Sequence, residues 1–136
     1  MSEKTVGDWM HKEVVTCTPD TSAEAVAKLM KAADMSTLVV VGEDGEVVGV
    51  ITRMDLVNSR FVEPQAKDAA GIRAEHLMSW PVVCVTPTTP IAEAARVMSE
   101  KRIHRLVVVE QDSEQAQPVG ILSITDLAKH ADEKLD

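Results

Sequence analysis

The stretches Gly49-Val50-Ile51-Thr52-Arg53-Met54-Asp55-Leu56 and Gly120-Ile121-Leu122-Ser123-Ile124-Thr125-Asp126-Leu127 decide the fold of this chain. Both follow the pattern Gly-x-x-[Ser/Thr]-x-x-Asp-Leu, in which an apolar run passes through a hydroxyl residue into a helical pattern. Each stretch therefore predicts a buried strand that leads directly into a helix. One copy would be a weak motif, whereas two copies indicate a repeated structural unit.

The two halves of the chain match on either side of these stretches. Val15-Thr16-Cys17-Thr18-Pro19 corresponds to Val83-Cys84-Val85-Thr86-Pro87 at an offset of 68 residues, and Leu38–Val41 corresponds to Leu106–Val109 at the same offset. From Gly49 onward the offset is 71, so the second copy holds three extra residues. Two repeats over nearly the whole chain predict a gene duplication and a molecule with pseudo-two-fold symmetry.

Each copy predicts the element order strand, helix, strand, strand, helix. Apolar and β-branched runs predict the strands, which are Val14–Thr18, Leu38–Val41, Val47–Ile51, Val107–Val109 and Val119–Leu122. Thr21 and Thr89 are the expected N-caps of the helices that follow the first strand of each copy. Short helices are expected at the start of the two copies, in residues 5–13 and 74–78, and further helices from Asp55 and Asp126.

Composition argues against several classes of protein. The 136 residues include 14 Lys plus Arg against 22 Asp plus Glu, a net charge of −8, which argues against general nucleic-acid binding. The longest apolar runs are strand-length and the first residues show no signal peptide, so we expect a cytoplasmic protein with no membrane segment. Cys17 and Cys84 lack metal-ligand spacing and are expected to be buried or half-buried small side chains.

The order of these motifs resembles the CBS (cystathionine β-synthase-like) domain, and two copies in tandem resemble a Bateman module. The resemblance implies an α/β (α+β) fold of two β-α-β-β-α repeats, residues 5–60 and 74–132, joined by a linker at 61–73. It implies a regulatory module rather than an enzyme, a homodimer, and an unidentified target protein. The implied ligand is an adenine nucleotide (AMP, ADP or ATP), with S-adenosylmethionine or NAD as alternatives, and no cofactor or metal is required.

Two explanations stay open for Thr52-x-x-Asp55 and Ser123-x-x-Asp126. From the residues alone, each fits a capping box that satisfies the first N–H groups of a helix. The resemblance implies that Asp55 and Asp126 bind the two ribose hydroxyls, while the hydroxyl residue contacts ribose or phosphate. A carboxylate suits a vicinal diol because it accepts two hydrogen bonds at once. Capping and binding need not exclude each other.

His104 and Arg105 also allow two explanations. They fit a solvated helix end, where a positive charge interacts favourably with the helix dipole. They also fit a phosphate site, in which the Arg105 guanidinium would donate two hydrogen bonds to one phosphate and His104 would be a second donor. The His-Arg-Leu sequence is similar to that of the γ subunit of AMP-activated protein kinase, which implies that the pair shares a cleft with Thr52 and Asp55. Arg53, beside Thr52, fits either a phosphate contact or an exposed side chain.

The resemblance implies a second, unequal cleft. It would combine Ser123, Thr125 and Asp126 with Ser36 and Thr37, which replace the His-Arg pair, and it should therefore bind phosphate more weakly. By the same resemblance Met10 and Val15 line one adenine slot, and Met78 and Val83 line the other; from the residues alone all four are core positions. The alternative function is a ligand-free structural or adaptor protein of the same fold that acts through dimerisation.

Overall fold

The computed structural model describes residues 3–62, 71–111 and 116–133. The first half of the chain forms α1 (Val6–Trp9), β1 (Thr16–Cys17), α2 (Ala23–Ala33), β2 (Thr37–Val41), β3 (Val47–Thr52) and α3 (Arg53–Val57), which continues as a π-helical turn, Asn58–Val62. The second half forms α4 (Ala74–Leu77), β4 (Cys84–Val85), α5 (Ile91–Lys101), β5 (Arg105–Val109), β6 (Pro118–Ser123) and α6 (Ile124–Lys129). The predicted mixed α/β class and the repeated element order are confirmed. Most of the predicted linker, residues 63–70, lies outside the described residues.

The strands form two three-stranded sheets of identical topology, ordered β1-β2-β3 and β4-β5-β6. In each sheet the short first strand is parallel to the central strand, and the last strand is antiparallel to it. The central strands carry the Leu-Val-Val-Val runs, whose side chains are almost all buried. A strand covered on both faces needs apolar residues at successive positions, which explains these runs.

The chain divides into two compact units that differ from the two sequence repeats. The contiguous unit is Val15–Val82, and the split unit combines Met1–Val14 with Val83–Asp136. The helix that opens each sequence repeat therefore belongs to the unit built from the rest of the other repeat. In the split unit the Val6 N–H donates to the Thr89 carbonyl at 2.8 Å; in the contiguous unit the Ala74 N–H donates to the Thr21 carbonyl at 2.7 Å.

The exchanged helices contribute to the hydrophobic core of each unit. Val6 is fully buried with the core of the split unit, which comprises Ile91, Ala94, Met98, Leu106, Val108 and Leu122. Ala74 and Leu77 are buried with the core of the contiguous unit, which comprises Cys17, Val26, Met30, Leu38, Val40 and Ile51. Full burial of one valine side chain contributes about 1.5 kcal/mol or more. The helices are therefore structural parts of their units.

The predicted N-caps are wrong by one residue. The N-cap of α2 is Ser22, whose Oγ accepts from the Ala25 N–H at 3.1 Å, and Pro90 occupies the N-cap of α5. The threonine hydroxyls instead stabilise the preceding turn, because Thr21 Oγ1 accepts from the Thr18 N–H at 3.1 Å and Thr89 Oγ1 from the Thr86 N–H at 3.2 Å. The last threonine of each Thr-Pro-x-Thr turn thus hydrogen-bonds within the turn, whereas the sequence pattern predicted it to cap the helix.

The two cysteines differ in environment. Cys17 is buried, and this burial raises the pKa of its thiol to about 11, against a smaller lowering by a hydrogen bond with Thr21. Cys84 is exposed, so its predicted burial is wrong. The two residues are one repeat position apart, and successive strand residues point to opposite faces, so only Cys17 faces its core.

Candidate functional site

In each unit, the predicted site residues lie where the last strand of a hairpin passes into a helix. In the contiguous unit Thr37 pairs with Thr52 across β2 and β3, and in the split unit Arg105 pairs with Ser123 across β5 and β6. A backbone hydrogen bond also joins the first residue of each helix to the residue just before the central strand. The Arg53 N–H donates to the Ser36 carbonyl at 3.2 Å, and the Ile124 N–H donates to the His104 carbonyl at 2.7 Å. We call these two places the Thr52–Asp55 end and the Ser123–Asp126 end.

A complete capping box forms at the Thr52–Asp55 end. Asp55 Oδ2 accepts from the Thr52 N–H at 2.7 Å and from Thr52 Oγ1 at 3.1 Å, while the Asp55 N–H donates to Thr52 Oγ1 at 3.3 Å. Both side chains are half-buried. Among the described residues, no hydrogen bond reaches Asp55 Oδ1. The carboxylate is therefore held through one oxygen, and the second remains available as an acceptor.

The Ser123–Asp126 end repeats this geometry. Asp126 Oδ2 accepts from the Ser123 N–H at 2.8 Å and from Ser123 Oγ at 3.0 Å, and the Asp126 N–H donates back to Ser123 Oγ at 3.2 Å. The capping explanation is confirmed at both ends. It leaves the same carboxylate oxygen of each aspartate unengaged by described residues, so the ligand explanation also stands.

The side chains around the two boxes differ in charge and exposure. At the Ser123–Asp126 end, His104 and Thr125 are exposed and Arg105 is half-buried. At the other end Ser36 is exposed and Thr37 is buried, with 4% of its surface accessible. His104 and Arg105 thus lie beside Ser123 within one unit. The predicted sharing of a ligand with Thr52 and Asp55 joins residues of different units and stays a prediction.

The four predicted adenine-slot residues are divided between the two units. Met10 and Val83 pack against the core of the split unit, while Met78 and Val15 pack against that of the contiguous unit. Each expected slot, Met10 with Val15 and Met78 with Val83, joins residues of different units and stays a prediction. The exchange of the helices that open the two repeats places each methionine in the unit of the other repeat.

Two charged residues near these ends were not among the predicted site residues. Asp34 and Arg102 end α2 and α5 in the left-handed conformation, with φ of 53° and 55°. Asp34 Oδ1 lies 3.5 Å from an Arg53 guanidinium nitrogen, and 58% of the Arg53 side chain is exposed. A phosphate contact by Arg53 stays a prediction. The repeat alignment contained a signal, because Asp34 and Arg102 match at the offset of 68 with opposite charge.

The described residues do not point to a metal centre or a membrane span. Within residues 3–62, 71–111 and 116–133, no three His, Cys, Asp or Glu side chains come together as a metal ion would require. No helix in these ranges has the length and apolar character needed to cross a bilayer.

Comparison with known proteins decides the family. The family model for the CBS domain matches residues 6–61 and 74–133. The chain belongs to the CBS domain family. A relative of this CBS pair, the uncharacterized protein MK0525 of Methanopyrus kandleri, is 31% identical over 127 residues; the match covers 93% of the chain and 62% of the relative. The CBS pair therefore spans less than two thirds of that relative's length.

Solved CBS structures share the architecture. The CBS domain pair of protein MJ0100, solved in complex with 5′-methylthioadenosine and S-adenosyl-L-methionine, has a TM-score of 0.79 at 25% identity, covering 92% of this CBS pair and 97% of that chain. The cytosolic domain of the Mg²⁺ channel MgtE, solved in complex with ATP, has a TM-score of 0.73 at 26% identity, covering 94% of this CBS pair and 49% of that chain.

Proposed function

We propose that this CBS pair is a regulatory module that binds an adenosine-containing ligand at its Ser/Thr-x-x-Asp ends. The observation that carries the proposal is the state of Asp55 and Asp126 at the two strand–helix junctions. Each carboxylate is fixed by a capping box through Oδ2 and keeps Oδ1 as an acceptor. A fixed carboxylate can accept both hydrogen bonds of a ribose diol without first losing side-chain freedom. The adenosyl ligands of MJ0100 and the ATP of MgtE support this choice of ligand class.

The ligands proposed are AMP, ADP or ATP, with S-adenosylmethionine and NAD as alternatives. Binding would shift the population of conformations, and a separate target protein or the partner of a homodimer would respond to the shift. The proposal assigns no catalytic step to the chain.

A ligand-free adaptor is the second candidate function. The observation that favours it is the same pair of capping boxes, because helix capping alone accounts for a hydroxyl and a carboxylate at this spacing. The two functions predict different results for one variant, Asp55→Asn. For a sensor the variant loses ligand binding, whereas for an adaptor it only lowers stability.

Thermal unfolding of the intact chain with each ligand at about 1 mM separates the two functions. A ligand present at 100 times its dissociation constant stabilises by about 2.7 kcal/mol, which raises the midpoint by several degrees. We expect a shift with at least one adenosyl ligand, and a smaller shift in Asp55→Asn and in Asp126→Asn. The absence of any shift with all five ligands would support the adaptor.

The chain offers a matched control for these variants. Thr5 and Asp8 form the same box at the start of α1: Asp8 Oδ2 accepts from the Thr5 N–H at 2.8 Å and from Thr5 Oγ1 at 3.2 Å. The backbone hydrogen bond from Thr5 lowers the pKa of Asp8, as expected for an ionised capping carboxylate. Asp8→Asn should affect capping as Asp55→Asn does, and should leave the ligand-induced shift intact.

The composition of each binding site is a further part of the proposal. From the family resemblance we propose that His104 and Arg105 bind the ligand of Thr52 and Asp55, and that Ser36 and Thr37 bind the ligand of the Ser123–Asp126 end. A double-mutant cycle tests this assignment. Arg105→Gln and Asp55→Asn should show coupled effects on AMP affinity, whereas Arg105→Gln and Asp126→Asn should be additive.

A further inference from the structure

An exposed ion pair lies beside the Thr52–Asp55 end. Arg53 is the first residue of α3, and its backbone N–H is fixed by the Ser36 carbonyl at 3.2 Å. Its guanidinium lies 3.5 Å from Asp34 Oδ1, and 58% of the Arg53 side chain and 98% of the Asp34 side chain are accessible to solvent. The backbone of Arg53 is therefore fixed next to the capping box, while its charged group is held by a weak surface contact.

The ion pair has no counterpart in the split unit. Asp34 corresponds to Arg102, and Arg53 corresponds to Ile124. The two helix ends have nearly the same backbone, with φ and ψ of 53° and 43° at Asp34 and 55° and 45° at Arg102. Arg102 adopts this conformation in the split unit, so the helix end does not require an acid. The acidic residue is present only in the unit that also carries Arg53.

We propose that Asp34 determines the phosphate preference of the Thr52–Asp55 end by competing with the ligand for Arg53. The inference rests on the proposed function and deepens it for this end. A guanidinium binds phosphate oxygens well, but a phosphate must compete with the Asp34 carboxylate for the Arg53 guanidinium, and that carboxylate also repels the phosphate charge. An adenosine derivative without phosphate meets neither obstacle. The Thr52–Asp55 end should therefore bind adenosine derivatives without phosphate more strongly, relative to nucleotides, than it would if Arg53 had no acidic partner.

The size of the effect follows from the exposure of the pair. Exposed ion pairs change an equilibrium constant by up to about fivefold. Asp34→Asn should therefore strengthen AMP binding by about two- to fivefold and leave the binding of 5′-methylthioadenosine unchanged. Because both groups are solvated, the difference should shrink as ionic strength rises from about 0.01 M to 0.15 M.

Titration calorimetry on the full chain tests the proposal with AMP and 5′-methylthioadenosine as probes. All proteins carry Asp126→Asn, so that binding reports on the Thr52–Asp55 end. Glu43→Gln is the matched control, because it removes one negative charge from the exposed turn between β2 and β3, at the opposite end of the hairpin. It should leave the ratio of the AMP and 5′-methylthioadenosine affinities unchanged.

A second substitution tests whether Asp34 acts through Arg53. In an Arg53→Gln background, the gain from Asp34→Asn should fall to less than half of its value in the Arg53 protein. An undiminished gain would show that Asp34 acts by repulsion alone and would overturn the proposal.

The remaining outcomes are distinguishable. An unchanged affinity ratio in Asp34→Asn, or an equal gain for both probes, overturns the role of Asp34 while leaving adenosyl binding in place. If neither probe binds the chain with Asp126 intact, the proposed function fails for these ligands and the role of Asp34 fails with it. If binding is seen only when Asp126 is present, the Thr52–Asp55 end does not bind these ligands, and the proposal is overturned.

Discussion

At the scale of single residues, one hydrogen-bond pattern serves three helices. Thr5 with Asp8, Thr52 with Asp55 and Ser123 with Asp126 form the same box, each with a hydroxyl at the N-cap and a carboxylate three residues later. The box by itself therefore does not mark a binding site. What distinguishes the last two is their place at the junction of a buried strand and a helix.

Loss of the N-cap hydroxyl should destabilise the chain without changing its fold. Thr52→Ala removes the acceptor of the Asp55 N–H and one donor to Asp55 Oδ2. We expect a decrease of about 1 kcal/mol in the free energy of unfolding, measured by urea denaturation. Thr52→Ser keeps the hydroxyl and should stay within about 0.5 kcal/mol of the parent. Equal losses in both variants would mean that the threonine methyl group, not the hydroxyl, stabilises this position.

The buried thiol of Cys17 should respond to alkaline pH. Its pKa is raised to about 11, so at pH 8 its thiolate fraction is about a hundredfold smaller than that of a thiol at the ordinary value of 9.0. In a Cys84→Ser background, alkylation by iodoacetamide should be slow in the folded chain and fast in urea. Rapid labelling of the native chain would contradict the burial of Cys17.

The same shift has a consequence for stability. Because the folded pKa lies above the unfolded value, the contribution of the protonated thiol is fully present below pH 9.0 and is lost as the pH rises towards about 11. A Cys17→Ala variant should lose less stability over this pH interval than the parent.

At the scale of elements, two glycines permit close packing of the segments that follow α1 and α4. A Cβ added at Gly120 would lie 2.8 Å from the His11 carbonyl oxygen and 2.8 Å from Met10 Sδ. At Gly49 the nearest atoms all belong to the Met78 side chain, including its Cβ at 2.9 Å. The obstacle thus includes a backbone group in the first case and consists only of a side chain in the second.

Alanine substitutions at these glycines should therefore differ in how they can be relieved. We expect Gly49→Ala and Gly120→Ala each to cost about 1–3 kcal/mol by overpacking. Met78→Ala should recover part of the loss in Gly49→Ala because it removes the clashing thioether. Met10→Ala should recover little in Gly120→Ala, since the His11 carbonyl remains. Denaturant unfolding of the four single and two double variants gives two double-mutant cycles. The coupling free energy should be larger for Gly49 with Met78 than for Gly120 with Met10.

The sequence predicted the elements better than it predicted their partners. Continuous apolar runs located Leu38–Val41 and its copy because a central strand needs apolar residues at every position. The repeat could not show that α1 packs with the second copy, since matching residues identify equivalent positions and not the copy they contact. The cap of α2 was misplaced for a related reason: Thr21 and Ser22 both carry a hydroxyl, and only the turn geometry decides which of them faces the helix.

At the scale of the whole molecule, the units differ in how the chain builds them. The contiguous unit is one uninterrupted segment, whereas the split unit needs both ends of the chain. Within the split unit those ends are close, because the rings of Trp9 and His130 stack with centroids 4.3 Å apart and an interplanar angle of 15°. A short linker can therefore join the residues after His130 to those before Thr5.

A circular permutation should make the split unit independent. We expect a chain of residues 83–133, a Gly/Ser linker and residues 3–14 to unfold cooperatively, as followed by circular dichroism. Residues 83–133 alone should not, because they lack Val6, which is fully buried in this core. A Val6→Asp version of the permuted chain is the matched control and should lose cooperative unfolding. Cooperative unfolding of residues 83–133 alone would show that α1 is dispensable.

The arrangement also fixes an order of events during synthesis on the ribosome. The contiguous unit is complete once residue 82 has emerged, so it can fold while the remainder is still being translated. The split unit cannot, because its first fourteen residues must wait for residues 83–136. During that interval Val6 and Trp9 of the nascent protein lack the core residues with which they pack. An N-terminal fusion, or a chaperone that binds these residues, should therefore affect the yield of folded protein most strongly in this period.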